Sequence, residues 1–187
     1  MGKLAGGHQA AVMCLAVAKL SETEDLVVTG SKDHYIKVFE VNKDGGGVFS
    51  PKLNLNPPHY DGIQSLALHG DFLFSGSRDM CIKKWDLARQ ELIQVIFFFP
   101  PRLLSLFFFF YETNFFMVFQ SINNAHSNWI CGLAVMPGGQ QLASGCRSGI
   151  LKVWSVDSCT LIGEVRAHNS PINAVAVNSA HLFTASK

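Results

Sequence analysis

One phrase recurs three times in this chain: VTGSKDHYIKVFE from Val28, FSGSRDMCIKKWD from Phe74 and ASGCRSGILKVWS from Ala143. Each copy reads as an apolar strand, a tight polar turn and a second strand. Phe72–Asp86 is the clearest: Phe72 and Phe74 alternate with Leu73 and Ser75, Gly76 to Asp79 supply the turn, and Ile82 to Trp85-Asp86 close the second strand. A histidine stands ahead of each copy, at His8, His59 and His126, and His168 opens a fourth unit that stops at Lys187. A unit this small cannot bury its own apolar faces, so each copy must pack against the next.

The units run over about 7–54, 59–94, 121–165 and 167–187, the last incomplete. Strands are expected at Val12–Val17, Leu26–Gly30 and Tyr35–Val41 in the first, and at Ile63–Leu68 and Glu91–Gln94 around Phe72–Asp86 in the second. The third has Trp129–Val135, Gln141–Gly145, Ile150–Val156 and Thr160–Val165; the fourth has Ile172–Val177 and His181–Ser186. Four short strands in a repeat of roughly 40 to 45 residues point to a β-propeller. The expected fold is therefore all-β: a partial propeller of about three and a half blades within residues 7–187.

Composition narrows the function. At 48% hydrophobic and 16% charged residues, the chain is not a disordered one. A net charge of +1 gives no electrostatic reason to expect nucleic acid or a membrane surface as partner. The five cysteines (Cys14, Cys81, Cys131, Cys146, Cys159) contain no CxxC pair, which argues against zinc and suits a reducing compartment. The N-terminus has no apolar signal region, and the location expected is cytoplasmic.

Val95–Gln120 breaks the pattern, with ten of the fifteen phenylalanines. Pro100-Pro101, Arg102 and Glu112 interrupt it, so no uncharged run reaches the ~18 residues of a membrane helix. His126 to His168 is 42 residues, whereas His59 to His126 is 67; without these 26 residues the latter becomes 41. The segment is read as an insertion. A Val95 codon begins with GT, phenylalanine codons are pyrimidine-rich, and Phe119-Gln120 can be written TTT-CAG, so it fits a short in-frame intron, retained or wrongly included.

The repeats resemble WD repeats. That resemblance implies a Ser/Thr–His–Asp network that accepts the N–H of a third-strand Trp. The matching residues are His59, Ser75, Asp79 and Trp85 in the second unit. The first offers His8, Thr29 and Asp33, but Phe39 has no N–H to donate. The third offers His126, Ser144 and Trp154, but Ser148 stands where Asp79 stands. His168 begins the set of the fourth. The second unit is thus the only one with all four residues. Histidines recurring once per blade read as structural rather than as metal ligands. Asp33 and Asp79 read as turn residues rather than catalytic acids, and no Ser–His–Asp set stands outside the repeats. No catalytic, cofactor-binding or metal site is expected, and no cofactor.

The spacers carry a closer resemblance. GSKDHYIKVFE, PPHYDGI, FSGSRDMCIKKWD with ELIQ, AHSNWICGLAVMPGG and HNSPINAV are similar to the WD-repeat tail of kinesin-4 motors, from His8 to Ser186 apart from Val95–Gln120. The resemblance implies a microtubule motor in the full-length protein, with a tail that binds cargo or partners, regulates microtubule growth and lies on the cytoskeleton. The chain itself has no G-x-x-x-x-G-K-[ST] loop and no heptad stretch, so motor activity is not assigned to it. The function expected is a non-catalytic scaffold binding protein partners through its loops. The alternative is a WD-repeat adaptor of another complex, such as a ubiquitin-ligase substrate receptor. Lys32, Arg78, Lys83, Lys84 and Arg147 are weighed as a basic patch for an acidic partner, against solvated strand residues as the simpler reading.

Overall fold

The computed structural model describes residues 3–4, 6–42, 48–88, 91–92 and 121–187. Val95–Gln120 lies outside the described residues. All the regular structure described is strand.

Four antiparallel sheets follow one another along the chain. The first is β2 (Val12–Lys19), β3 (Glu24–Ser31), β4 (Ile36–Asn42) and β6 (Leu53–Leu55), in that order. A short parallel pair, β1 (Lys3–Leu4) with β5 (Val48–Phe49), lies beside it in sequence. The second sheet is β7 (Ile63–His69), β8 (Phe72–Ser77) and β9 (Ile82–Asp86). Its outer position is shared by β10 (Glu91–Leu92) and β11 (Ser121–Ile122), both paired with β9. The third is β12 (Ile130–Val135), β13 (Gln141–Cys146), β14 (Ile150–Ser155) and β15 (Leu161–Arg166). The fourth is the pair β16 (Ile172–Val177) and β17 (Leu182–Ser186). This is an all-β partial propeller of about four sheets. Leu53–Leu55, where the sequence predicts no strand, forms the outer strand of the first blade. It contributes Leu55, only 3% exposed, to the core.

Each blade closes on the next through a repeated apolar fit. Gly30 in β3 faces Ile63 in β7, and a Cβ at Gly30 would lie 2.6 Å from the Ile63 Cγ2. Gly76 faces Ile130 in the same way at 2.7 Å, and Gly145 receives Ile172. Only glycine admits so close an approach. Ile63, Ile130 and Ile172 are fully buried. The third-strand indoles complete these interfaces from the other side. Trp85 packs with Val28, Ile36 and Leu55 of the first blade; Trp154 packs with Ala67, Phe74 and Ile82 of the second. Burying such side chains stabilises each joint by roughly 1.5–3 kcal/mol per large residue. The first and last blades carry exposed apolar residues instead: Val12, Leu15 and Val17 on β2, and Phe183 on β17.

Candidate functional site

The candidate site is the line of histidine-centred hydrogen bonds that runs from blade to blade. In the second blade, Trp85 Nε1–H donates to Ser75 Oγ at 3.0 Å, and Ser75 Oγ meets His59 Nε2 at 2.8 Å. His59 Nδ1 meets Asp79 Oδ2, also at 2.8 Å. One donor direction satisfies every partner: indole N–H to hydroxyl, hydroxyl to Nε2, and Nδ1–H to carboxylate. The turn places Asp79 for this. Its other oxygen accepts the Cys81 N–H at 2.9 Å, Oδ2 also accepts the Tyr60 N–H at 2.9 Å, and Ser77 Oγ accepts the Asp79 N–H. Burial alone would raise the Asp79 carboxyl. The His59 contact and the Cys81 and Tyr60 N–H groups outweigh it and hold the pKa below the ordinary value. Burial dominates at His59 and keeps the imidazole neutral against the pull of Asp79.

The first blade repeats the arrangement without the indole. His8 Nδ1 lies 2.9 Å from Asp33 Oδ2, and Nε2 lies 2.8 Å from Thr29 Oγ1. The Gln9 and Tyr35 N–H groups donate to Asp33. Phe39 fills the Trp position, almost fully buried, and Thr29 turns its hydroxyl to the Lys37 carbonyl. In the third blade, Trp154 Nε1–H donates to Ser144 Oγ at 2.7 Å, which meets His126 Nε2 at 2.7 Å. The chain of contacts stops there. His126 is 2% exposed and its Nδ1 has no hydrogen-bond partner. Ser148, in the place of Asp79, contacts Cys146 Sγ and Ser127 Oγ instead. Burial, with the Lys152 ammonium adding to it, pushes the His126 pKa down to about 4. In the fourth unit, His168 Nε2 lies 2.8 Å from Thr184 Oγ1.

The weighed basic patch is corrected. Lys83 and Lys84 are buried, not solvated: Lys83 Nζ donates to the Pro57 and Pro58 carbonyls, and Lys84 Nζ to the Val156 carbonyl. These bonds tie the second blade to its own entry loop and to the third blade. Their long apolar stems make such burial cheap, a feature that the residue letter conceals. Arg78 and Arg147 take another role that sequence reasoning missed. Their guanidinium groups stack over the Trp129 ring at 3.8 and 4.6 Å from its centroid, joining the turns of the second and third blades. The recurring Arg after the turn Ser or Cys was the available signal. Among the described residues, no group of His, Cys, Asp or Glu could hold a metal ion, and no helix is long and apolar enough to cross a membrane.

Known proteins agree with the fold. The WD domain, G-beta repeat family pattern matches residues 3–40, 51–86 and 118–155. The chain is 50% identical over 186 residues to kinesin-like protein KIF21B of Homo sapiens, and 48% identical over 184 residues to KIF21A of the same species. It is 30% identical over 183 residues to kinesin-like protein klp-12 of Caenorhabditis elegans. These alignments take in 100%, 98% and 94% of this chain, yet only 10%, 9% and 10% of the relatives, so the chain spans about a tenth of their length. Among solved structures, the computationally designed Ika4 protein superposes with a TM-score of 0.69 at 21% identity, covering all of this chain and 94% of that one. The RRP9 WD40 repeats give the same TM-score at 20% identity, covering 96% of this chain and 46% of that one. With its blades, its glycine joints and its histidine network, the chain belongs to the WD domain, G-beta repeat family.

Proposed function

We propose that this chain is a non-catalytic protein-interaction scaffold that serves as the microtubule-regulating and partner-binding tail of a kinesin-like motor. The observation that carries the reading is 50% identity to a kinesin-like protein across the whole chain, spacers included. The histidine network then has a structural role: it fixes the turns from which the interblade loops project. Binding would use exposed loop residues such as Tyr60, which is 85% exposed beside the buried His59. Cytoplasmic, cytoskeleton-associated location follows from the same reading. Microtubule co-sedimentation of the chain, with and without Val95–Gln120, tests it. Pelleting with microtubules in at least one form is expected. Failure in both forms, with the protein soluble, removes the microtubule part of the proposal.

We further infer that Val95–Gln120 interrupts a single outer strand. Leu92 pairs with Trp85 and Ser121 with Lys83, so one partner position, that of Lys84, separates them on β9. In the third blade, Leu161 pairs with Trp154, Ile162 is the extra residue of a bulge, Gly163 pairs with Val153 and Glu164 with Lys152. A chain lacking Val95–Gln120 would run Glu91-Leu92-Ile93-Gln94-Ser121-Ile122 and could adopt that same register, with Ile93 in the bulge. In the shortened protein, amide exchange across 91–94 and 121–122 should slow together, as one strand. Unchanged exchange would refute the continuous strand. A genomic sequence without GT at the Val95 codon or CAG at Gln120 would refute the intron origin.

A further inference from the structure

We propose that the third blade holds a carboxylate-binding site, centred on His126 Nδ1, that takes the acidic side chain of a docking protein. In the first and second blades one carboxylate gathers three donors: the His Nδ1–H, the N–H of the next residue, and the N–H two residues beyond the Asp. For Asp33 these are His8, Gln9 and Tyr35; for Asp79 they are His59, Tyr60 and Cys81. The equivalent groups of the third blade are His126 Nδ1 and the backbone N–H groups of Ser127 and Ile150, and the residue between them is Ser148. Its hydroxyl does not reach His126, whose Nδ1 is buried without a partner. A buried imidazole left unsatisfied is costly, and a ligand that supplies an acceptor recovers that cost.

The surroundings suit an acidic group. His126, Ser127 and Ile150 line a cleft of about 360 Å³ with Asn124, Lys152 and Glu164. Lys152 stands close enough for its charge to depress the imidazole, and an anion there would face both. Lys152 is held by Glu164 at 3.2 Å, on the exposed side of the cleft. Arg166 lies at the same turn, its guanidinium donating to the Ser148 carbonyl at 3.3 Å. Two oxygens in one plane, one receiving the imidazole and one backbone N–H, the other receiving the second N–H, is the geometry that Asp33 and Asp79 fill. A carboxylate matches it better than a tetrahedral oxyanion does. That the carboxylate comes from a partner protein rests on the scaffold reading above.

Titration of the ¹⁵N-labelled 187-residue chain tests it, following the His126 imidazole nitrogens. The probes are acetyl-Gly-Glu-Gly-amide and its Gln counterpart at neutral pH and constant ionic strength. The Glu peptide should shift the His126 Nδ1 resonance saturably at millimolar concentration, and the Gln peptide should not. Ser148→Asp places a carboxylate in the turn as in the other two blades, and should weaken the Glu response at least about tenfold; Ser148→Ala should keep it. Absence of a shift in the wild-type chain, an equal shift from both peptides, or a response undiminished in Ser148→Asp would overturn the proposal. Failure to pellet with microtubules leaves this titration unaffected, so the two readings fail separately.

Discussion

The second and third blades solve the same packing problem with different polar chemistry. Each buries a third-strand tryptophan that donates to a serine, and each serine meets a histidine. In the second blade that histidine is held through both ring nitrogens; in the third, through one. Both blades keep four strand positions in antiparallel order, the outer one of the second shared by β10 and β11, and both receive an isoleucine from the following blade against a glycine. The blade form therefore rests on apolar interlocking, and the carboxylate adds to a frame already specified. What the carboxylate changes is the electrostatic state of the turn. Asp79 makes it a closed unit in which the imidazole N–H meets a carboxylate, whereas Ser148 leaves a buried imidazole beside Lys152.

Exchanging the two turn residues breaks the comparison in both directions. Asp79→Ser gives the second blade the chemistry of the third. It strips His59 Nδ1 and the Tyr60 and Cys81 N–H groups of their acceptor in a site where His59 is 2% exposed. The expected loss is about 2–3 kcal/mol, read from urea unfolding at pH 7. A loss under about 0.5 kcal/mol, the scale of ordinary surface substitutions, would mean that water replaces the carboxylate without cost. The converse change, Ser148→Asp, should gain about 1 kcal/mol in the same assay, because it satisfies a donor that the wild-type chain leaves alone. The gain is the smaller effect since part of the new carboxylate's desolvation offsets it. Destabilisation by Ser148→Asp would show that the third turn has relaxed away from the geometry of the second.

The same two blades show what the sequence makes legible. The repeated phrase and the histidine spacing locate the strands because period-2 alternation and turn residues act locally. The substitution of Ser148 for Asp79 is visible in the aligned letters, and so is the loss of the indole at Phe39. Three things are not visible. Leu53–Leu55 joins the first sheet because Ile36, Lys37 and Val38 offer an unpaired edge, a tertiary effect on a run too short to read as a strand. Lys83 and Lys84 look solvated by residue type, yet carbonyls from Pro57, Pro58 and Val156 reach them through the fold. The recurring Arg after the turn Ser or Cys is legible, but that Arg78 and Arg147 from two different turns meet on Trp129 is not, because no spacing rule brings them together.

Acidification sharpens the contrast by the smallest but most specific effect. His126 titrates near 4 in the folded chain, chiefly from burial and then from Lys152, against an ordinary value of 6.5. Between those two pH values the unfolded chain binds the proton and the folded chain resists it. Stability is therefore full above about pH 6.5, falls as pH drops through the window, and stops falling from this cause below about 4. In Ser148→Asp the new carboxylate accepts from Nδ1 and raises the folded pKa, so the window narrows and the fall is shallower. His59 is also held below its ordinary value, but it is common to both proteins and cancels in the difference. The stabilising increment of Ser148→Asp should thus grow from pH 7 to pH 5, by on the order of 1 kcal/mol. Measurement stops at pH 5 because the introduced Asp would add its own protonation further down; Asp33 and Asp79, held below the ordinary carboxylate value, are common to both proteins and cancel. An increment that stays flat from pH 7 to pH 5 would mean that His126 is already satisfied in the wild-type chain, and that the two blades do not differ in the way their turns imply.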